Sequence, residues 1–164
     1  MKLESLKELY IEQIRDVYDA EHQLLAALPS MEEKATSPVL RSAFALHSKE
    51  TANQTFRLKL ILEALGVKPG RKRCKAMKGL LTEGQQYVRA RGDLDTLDAA
   101  LIAAAQRIEH YEIAAYGTLR TYAILLGFSE QAGLLQASLD EEALADQNLS
   151  AIAETWVNEL AAMP

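Results

Sequence analysis

The chain contains 164 residues, 49 % of them hydrophobic and 25 % charged, which is typical of a single globular domain, here residues 1–164. Its formal net charge of −5 argues against nucleic-acid binding, since proteins that bind phosphates usually present a basic face. Cys74 is the only cysteine, which excludes an internal disulfide and a CxxC zinc site. A charged N-terminus and the lack of an apolar run of about 18 residues predict a cytoplasmic protein without a membrane partner.

Helical periodicity begins at the N-terminus. Apolar residues recur at steps of three and four from Leu3 onward, which predicts a helix with one buried face. Glu21 is the only charged residue on that face. Pro29 is expected to kink or end the helix, because proline removes an intrahelical hydrogen bond. The predicted face consists of Leu3, Leu6, Tyr10, Ile14, Val17, Glu21, Leu24, Leu28 and Met31.

A second helix is predicted after Ser37 and Pro38, where serine is the N-cap and proline takes the first helical position. Gly66 is expected to end this helix. Three polar residues interrupt its apolar face near the middle. The predicted face consists of Leu40, Ala43, His47, Glu50, Gln54, Leu58, Ile61 and Leu65.

A charged loop containing Pro and Gly precedes a shorter helix, predicted at about residues 74–89. Gly92 separates that helix from a long one, which Asp93 or Asp95 can cap and Gly127 ends. The predicted face of the long helix consists of Leu101, Ala105, Glu109, Glu112, Tyr116, Leu119, Ala123 and Leu126.

Ser129 is expected to cap the last long helix. Its predicted face consists of Leu135, Leu139, Glu142, Asp146, Leu149, Ala153, Trp156 and Leu160. Long helices with short connections pack antiparallel. The predicted fold class is therefore all-α, an antiparallel four-helix bundle with an additional short helix in the crossover between the second and third long helices.

Folding of this bundle should bring five carboxylates to one level of the core: Glu21, Glu50, Glu109, Glu112 and Glu142. Carboxylates at such distances raise one another's pKa values unless cations neutralise them. Two divalent cations offset four carboxylates, and bridging oxygens hold such ions about 3.5–4 Å apart. The pattern is close to the di-iron or di-manganese signature of ferritin-like bundles. The sequence thus predicts a site for two Fe or Mn ions.

The histidines of that signature are missing. It places a Glu-x-x-His pair on each of two helices, whereas Asn53 follows Glu50 and Ala145 follows Glu142 at that spacing. His47 is the candidate replacement, either as a ligand or as a hydrogen-bonded core histidine that orients a carboxylate. An oxygen-rich ligand set favours hard cations such as Mn²⁺ or Mg²⁺ and also accepts iron. Further candidates for supporting contacts are Gln54 and Asp146.

Several candidates also have plainer interpretations. Glu21 can form an ion pair with Arg15 or with a neighbouring helix, and Glu141 competes with Glu142 for the inward position. The tyrosines are expected mainly to fill the core, with their hydroxyls hydrogen-bonded. Cys74 lies in the basic run GRKRCKAMK, where neighbouring cations would lower its pKa and make it a redox-sensing thiol. That run is otherwise typical of a solvated loop.

Four segments carry a family resemblance: AALIAAAQRIEHYEIAAYGTLR, DVYDAEHQLLAALPSM, CKAMKGL and LDEEALADQNL. Together with the pattern His47, Glu50, Thr51 and Gln54, they resemble the YciE/YciF group of bacterial stress proteins over nearly the whole chain. The resemblance implies a ferritin-like fold related to rubrerythrin, a homodimer and a di-iron site. The rubrerythrin-type histidines have no match here. The ligands implied by the resemblance are Glu21, Glu50, Glu109, Glu112 and Glu142.

Two functional hypotheses follow from the residues and the resemblance. The first is a stress-associated, carboxylate-bridged di-metal oxidoreductase of ferroxidase or peroxidase type, with O₂ or peroxide as its substrate. The second is a non-catalytic helical module for dimerisation or partner binding, with a structural or vestigial metal site. Metal stoichiometry and redox turnover distinguish the two.

Overall fold

The computed structural model describes residues 4–163, and every regular element within them is helical. Leu3, the first residue of the predicted face of the first helix, lies outside the described residues. The elements are α1 (Leu6–Lys34), α2 (Pro38–Ala64), α3 (Lys75–Arg89), α4 (Leu94–Leu125), α5 (Ser129–Ile152), a π-helical turn (Ala153–Val157) and α6 (Asn158–Ala161).

The long helices form the predicted antiparallel four-helix bundle. α1 packs along α2, and α4 packs along α5, with only a short link inside each pair. The pairs meet where α2 contacts α5 and α1 contacts α4. α3 lies in the crossover from α2 to α4 and packs on α1 and α4. Within residues 4–163, no helix is both long and apolar enough to span a membrane.

Most helix boundaries lie where the sequence predicts them. Ser37 and Asp93 are N-caps whose side chains accept hydrogen bonds from backbone N–H groups of the first turn. Gly66 and Gly127 have positive φ angles of 67° and 76° and follow the ends of α2 and α4. Glycine adopts this conformation without a steric penalty. Asp93 rather than Asp95 caps α4.

Pro29 does not end α1, which continues to Lys34. The ring lies on the exposed side of the helix, where water can satisfy the carbonyl that loses its N–H partner. Leu28 and Met31 are buried on either side of the proline. Their packing holds the next turn in the helical conformation.

Ser129 is the first residue of α5 rather than its N-cap, so that prediction is wrong by one position. Phe128 is the N-cap and makes no side-chain capping bond. The backbone N–H of Phe128 instead binds the carbonyl of Ala123 at 2.9 Å, as part of the turn that closes α4. The two helix ends thus share this turn.

The prediction of which residues of the last helix are buried is wrong beyond Ala153. Trp156 is 63 % exposed and Leu160 is also exposed, whereas Val157 is buried. The π-helical turn at Ala153–Val157 explains the shift. It takes more residues per turn than an α-helix, so the inward position moves forward along the chain.

Two apolar clusters fill the ends of the bundle, with a polar layer between them. The first cluster includes Tyr10, Ile14, Leu58, Tyr116 and Leu135. The second includes Leu24, Leu28, Leu40, Phe44 and Leu101. Each large apolar side chain that is fully buried contributes about 1.5–3 kcal/mol. These contributions offset the cost of burying the polar layer, which comprises Glu21, His47, Thr51, Gln54, Glu109, Glu112 and Glu142.

Candidate metal centre

Four side chains of the polar layer form a tight group. Glu109 and Glu112 come from α4, Glu142 from α5 and His47 from α2, and all four are buried. One ligand atom from each lies within 4.8 Å of the others. The i, i+3 spacing of the two α4 glutamates places both on the inward face of one helix turn. Three carboxyl groups and one imidazole therefore converge at the centre of the bundle.

Few hydrogen bonds satisfy this group. Gln54 Nε2 donates to Glu142 Oε1 and, at 3.1 Å, to Glu141 Oε2. His47 Nε2 lies 3.3 Å from Glu109 Oε1 and 3.9 Å from an oxygen of Glu142, but without hydrogen-bond geometry. These contacts position the side chains while leaving much of their binding capacity unused.

The unused capacity is largest at Glu112. Both of its carboxyl oxygens are buried and have no hydrogen-bond partner among the described residues. Other buried atoms of the site also lack a hydrogen-bond partner among the described residues. They are one carboxyl oxygen each of Glu21, Glu109 and Glu142 and both ring nitrogens of His47. A buried polar group without a partner costs about 1–3 kcal/mol, and more when charged. A divalent cation would convert these atoms from a cost into ligands, so the residues present could hold a metal ion.

In the absence of metal, the pKa values of the clustered carboxyl groups are raised. Burial, followed by the charges of Glu21, Glu142 and Glu109, raises the pKa of Glu112 well above its usual range. Burial and neighbouring carboxylates also raise the pKa values of Glu21 and Glu109 strongly. The pKa of Glu142 is raised by burial, against hydrogen bonds and the His47 charge that lower it. Without cations, the fold favours protonated carboxyl groups here.

Glu21 extends the site toward α1. It is fully buried, and the Tyr116 hydroxyl donates a hydrogen bond to its Oε1. This confirms the expected role of that tyrosine hydroxyl. Arg15 does not pair with Glu21, because its Nε donates to the Lys68 carbonyl at 2.9 Å. The expected alternative of an Arg15 ion pair is therefore wrong.

Glu50 lies at the edge of the site rather than inside the tight group. Its side chain is 21 % exposed, with Oε2 at 3.6 Å from His47 Nδ1. The buried face of α2 is rotated slightly from the prediction, so Phe44 and Thr51 are buried where Ala43 and Glu50 were expected. Thr51 is a buried polar residue that the predicted face omitted. Its position four residues after His47 is the signal that could have identified it.

The choice between Glu141 and Glu142 is resolved by Arg57. Glu142 is fully buried in the tight group. Glu141 points to the side, where Arg57 binds its two oxygens at 2.6 and 2.7 Å. Its charge is thus neutralised by the protein, unlike that of Glu142.

The remaining candidates lie around the site. Asp146 is half-buried and accepts a hydrogen bond from Gln106 at 3.3 Å. Asn53, at one missing-histidine position, is exposed and points away from the core. His22 and His110 are exposed.

Cys74 is not the reactive thiol that its basic neighbours suggested. It is buried as the N-cap of α3, with Sγ 3.0 Å from the Tyr111 hydroxyl. Burial raises the pKa of this thiol, so the expected lowering by adjacent cations is wrong. Two of those cations face carboxylates instead, Lys72 at Glu12 and Arg73 at Asp19.

Comparisons with known proteins agree with this fold. The family model described as a domain of unknown function, DUF892, matches residues 5–162. The protein YciF of Escherichia coli strain K12 is 38 % identical over 98 % of both chains. The crystal structure of that E. coli stress protein superposes with a TM-score of 0.91, covering 95 % of this chain and 99 % of that one.

Two further structures extend the comparison. YcfI of Rhodopseudomonas palustris, described as "a putative structural protein", is 38 % identical, with a TM-score of 0.88 and coverage of 93 % of this chain and 97 % of that one. A protein of Xanthomonas campestris pv. campestris is 21 % identical, with a TM-score of 0.74 and 94 % coverage of both chains. At that identity, the last similarity concerns the fold alone.

Proposed function

The chain belongs to the DUF892 family, and on this premise we propose that its buried carboxylates bind two iron or manganese ions and that the loaded protein reacts with O₂ or peroxide. The observation that carries the proposal is the state of Glu112, which is fully buried with two unpartnered oxygens in the described structure. A fold retains such a group at a cost of several kcal/mol only if something compensates it.

The proposed ligands are His47, Glu109, Glu112 and Glu142, with Glu21 and Glu50 completing the set from the α1 side and the rim. When bound, the ions supply Lewis acidity and a change of oxidation state for an oxygen species. The chain's own residues hold and orient the carboxylates. Gln54 fixes Glu142 and Tyr116 fixes Glu21 through single hydrogen bonds. The apolar clusters above and below restrict the entry of water.

The physiological role we propose is removal of ferrous iron or peroxide during stress in the cytoplasm. The E. coli relative is described as a stress protein, which supports this context. Rapid mixing of anaerobically Fe²⁺-loaded protein with O₂ or H₂O₂ tests the activity, with iron oxidation followed by absorbance. Oxidation faster than that of free Fe²⁺, and lost in Glu112→Ala, is expected. Equal rates with and without protein would contradict the redox role.

The alternative is a helical binding module with a structural or vestigial metal site. The missing histidines favour it, since one of their positions is exposed and the other holds alanine. The wording used for YcfI suggests a structural role for that relative. Full metal occupancy without turnover toward O₂ or peroxide would favour this alternative.

A homodimer is part of the proposal under both functions. Large apolar side chains remain exposed on the described chain, and a second copy would cover some of them. Light scattering should give twice the monomer mass, and a monomer at micromolar concentration would contradict the dimer. The exposed side chains include Val39, Phe56, Leu60, Leu144 and Trp156.

A further inference from the structure

A small cavity connects the metal centre to the surface between α2 and α5. Its inner wall contains His47 and Glu109 of the tight group. Its outer wall contains Leu46, which is 50 % exposed, and Asn148, which is also exposed. The same space thus touches the proposed ligands and residues that face solvent.

The missing histidine helps to create this space. Ala145 lines the cavity and occupies the position three residues after Glu142, where the ferritin-like signature has histidine. Ala43 lines it on the α2 side. An imidazole at position 145 would be much larger than a methyl group, so the departure from the signature leaves room beside the site.

Size and charge define what the cavity can admit. Its volume is about 30 Å³, whereas one water needs about 10–15 Å³ and pockets for organic ligands have about 300–1,000 Å³. The cavity therefore has room for one molecule of about two heavy atoms. Glu50 and Glu109 in its wall disfavour anions, and its other lining is mostly apolar. A small neutral molecule suits these walls.

We propose that this cavity is the entry route and resting position of the oxygen species, and that it admits O₂ or H₂O₂ but excludes organic hydroperoxides. The inference rests on the proposed function, because it assigns a substrate class to the same site. It adds a selection step that the ligand residues do not provide. Ala145 and Leu46 act here as specificity-determining residues at the wall and the mouth.

The first experiment blocks the route. Ala145→Leu fills the inner wall, and Leu46→Trp covers the mouth from an exposed position where folding should tolerate the change. Nitric oxide, a neutral diatomic, is mixed with Fe²⁺-loaded protein, and its binding is followed by stopped-flow absorbance. If the blocked wall opens in about one molecule in ten, association slows about tenfold. Ala137→Leu is the matched control on α5, because Ala137 is half-buried but outside the cavity lining.

The result requires unchanged metal content and unchanged mass by light scattering in all variants, so that slower binding reflects access alone. Wild-type rates in both Ala145→Leu and Leu46→Trp would overturn the proposal. So would oxidation of the Fe²⁺-loaded wild type by tert-butyl hydroperoxide as fast as by H₂O₂, since the former exceeds the cavity volume.

A metal-free readout separates this inference from the proposed function. Crystals of metal-free protein are pressurised with krypton, whose anomalous scattering marks its position. Krypton between Ala43, Ala145 and Leu149 in wild type, and absent there in Ala145→Leu, is expected. An empty cavity in wild type would overturn the entry route even if metal binds. A protein that binds krypton but no metal would retain the route and refute the proposed function.

Discussion

Asp98 and Glu112 are buried carboxylates on the same helix, at 1 % and 0 % exposure, yet their surroundings are opposite. Asp98 accepts hydrogen bonds from the backbone N–H groups of Thr36 and Ser37 at 2.9 and 2.7 Å, and from the Thr36 hydroxyl at 2.8 Å. Glu112 has no hydrogen-bond partner in the described part of the chain. The protein itself therefore satisfies the carboxylate of Asp98 but not the carboxyl group of Glu112.

The difference separates structural from functional burial. Asp98 satisfies backbone donors at the junction of α1 and α2, where a helix N-terminus attracts negative charge. The pKa of Glu112 is raised mainly by burial and further by the carboxylates that it faces. A buried acid with donors holds a fold together, whereas a buried acid among acids is neutralised by a proton or by a cation.

The largest expected effect is on metal affinity, which should depend on Glu112 but not on Asp98. Glu112→Ala should weaken Mn²⁺ or Fe²⁺ affinity by at least about 100-fold, because residues that merely support ligands already contribute 10–100-fold. Asp98→Ala should leave the affinity unchanged. Titration against a metal-binding dye measures both. Equal losses in the two variants would mean that metal binding reports folding rather than ligation.

The second expected effect concerns stability. Here the substitution of Asp98 should have a larger effect than the substitution of Glu112. Asp98→Ala should lower the free energy of unfolding of the metal-free protein by about 2–4 kcal/mol, since it leaves several donors without an acceptor. Glu112→Gln keeps the shape and replaces the titrating carboxyl group by a neutral amide, so it should be neutral or stabilising. Urea unfolding with EDTA present measures both. A larger loss in Glu112→Gln than in Asp98→Ala would contradict the assignment of roles.

The third effect is a pH dependence of the metal-free protein. The pKa values of Glu21, Glu109 and Glu112 are raised above the ordinary value of 4.5, so the native state binds more protons than the unfolded state once the pH exceeds 4.5. The contribution of these three groups to stability should therefore be largest below that pH and fall as pH rises, by up to about 1.4 kcal/mol per pH unit for each proton involved. Saturating Mn²⁺ should remove this fall.

Urea unfolding between pH 5 and about 8 measures this slope within the usual range of protein stability. The Glu112→Gln variant should have a shallower slope than wild type, since one titrating group is lost. Stability that rises with pH in the metal-free wild type would show that the cluster is neutralised in another way.

The smallest expected effect concerns the hydrogen bond between Tyr116 and Glu21 at the edge of the cluster. Tyr116→Phe removes the hydrogen bond that lowers the pKa of Glu21, so the metal-free protein should lose about 1 kcal/mol and that pKa should rise further. Tyr10→Phe is the matched control, because Tyr10 donates to Gln131 at 2.9 Å away from the carboxylates. Only Tyr116→Phe should change metal affinity. An equal change in both would assign the effect to general loosening of the core.

Much of this fold could be predicted because its signals are local. Helical periodicity and the residues Ser37, Asp93, Gly66 and Gly127 are sufficient to locate the long helices and most of their ends. The π-helical turn could not be predicted, since an α-helical period carried forward places Trp156 inward. Periodicity alone does not show where a helix changes its winding.

The candidate site divides in the same way. Glu109, Glu112 and Glu142 were identifiable because each interrupts an apolar face. The outward position of Glu50 and the burial of Thr51 depend on a small rotation of α2, which tertiary packing decides. The pKa of Cys74 is raised by burial, against a hydrogen bond with Tyr111 that lowers it. The residues next to Cys74 in the sequence do not reveal this burial. Local chemistry was thus more predictable than orientation.

Metal content is the most direct test of the central claim that the carboxylate cluster holds a metal pair. Wild-type protein is produced with iron or manganese supplied separately, and bound metal is measured by mass spectrometry beside the Glu142→Ala and Asp98→Ala variants. We expect about two ions per wild-type chain, a similar content in Asp98→Ala and near-background content in Glu142→Ala. Wild-type protein without metal above background in both preparations would contradict it.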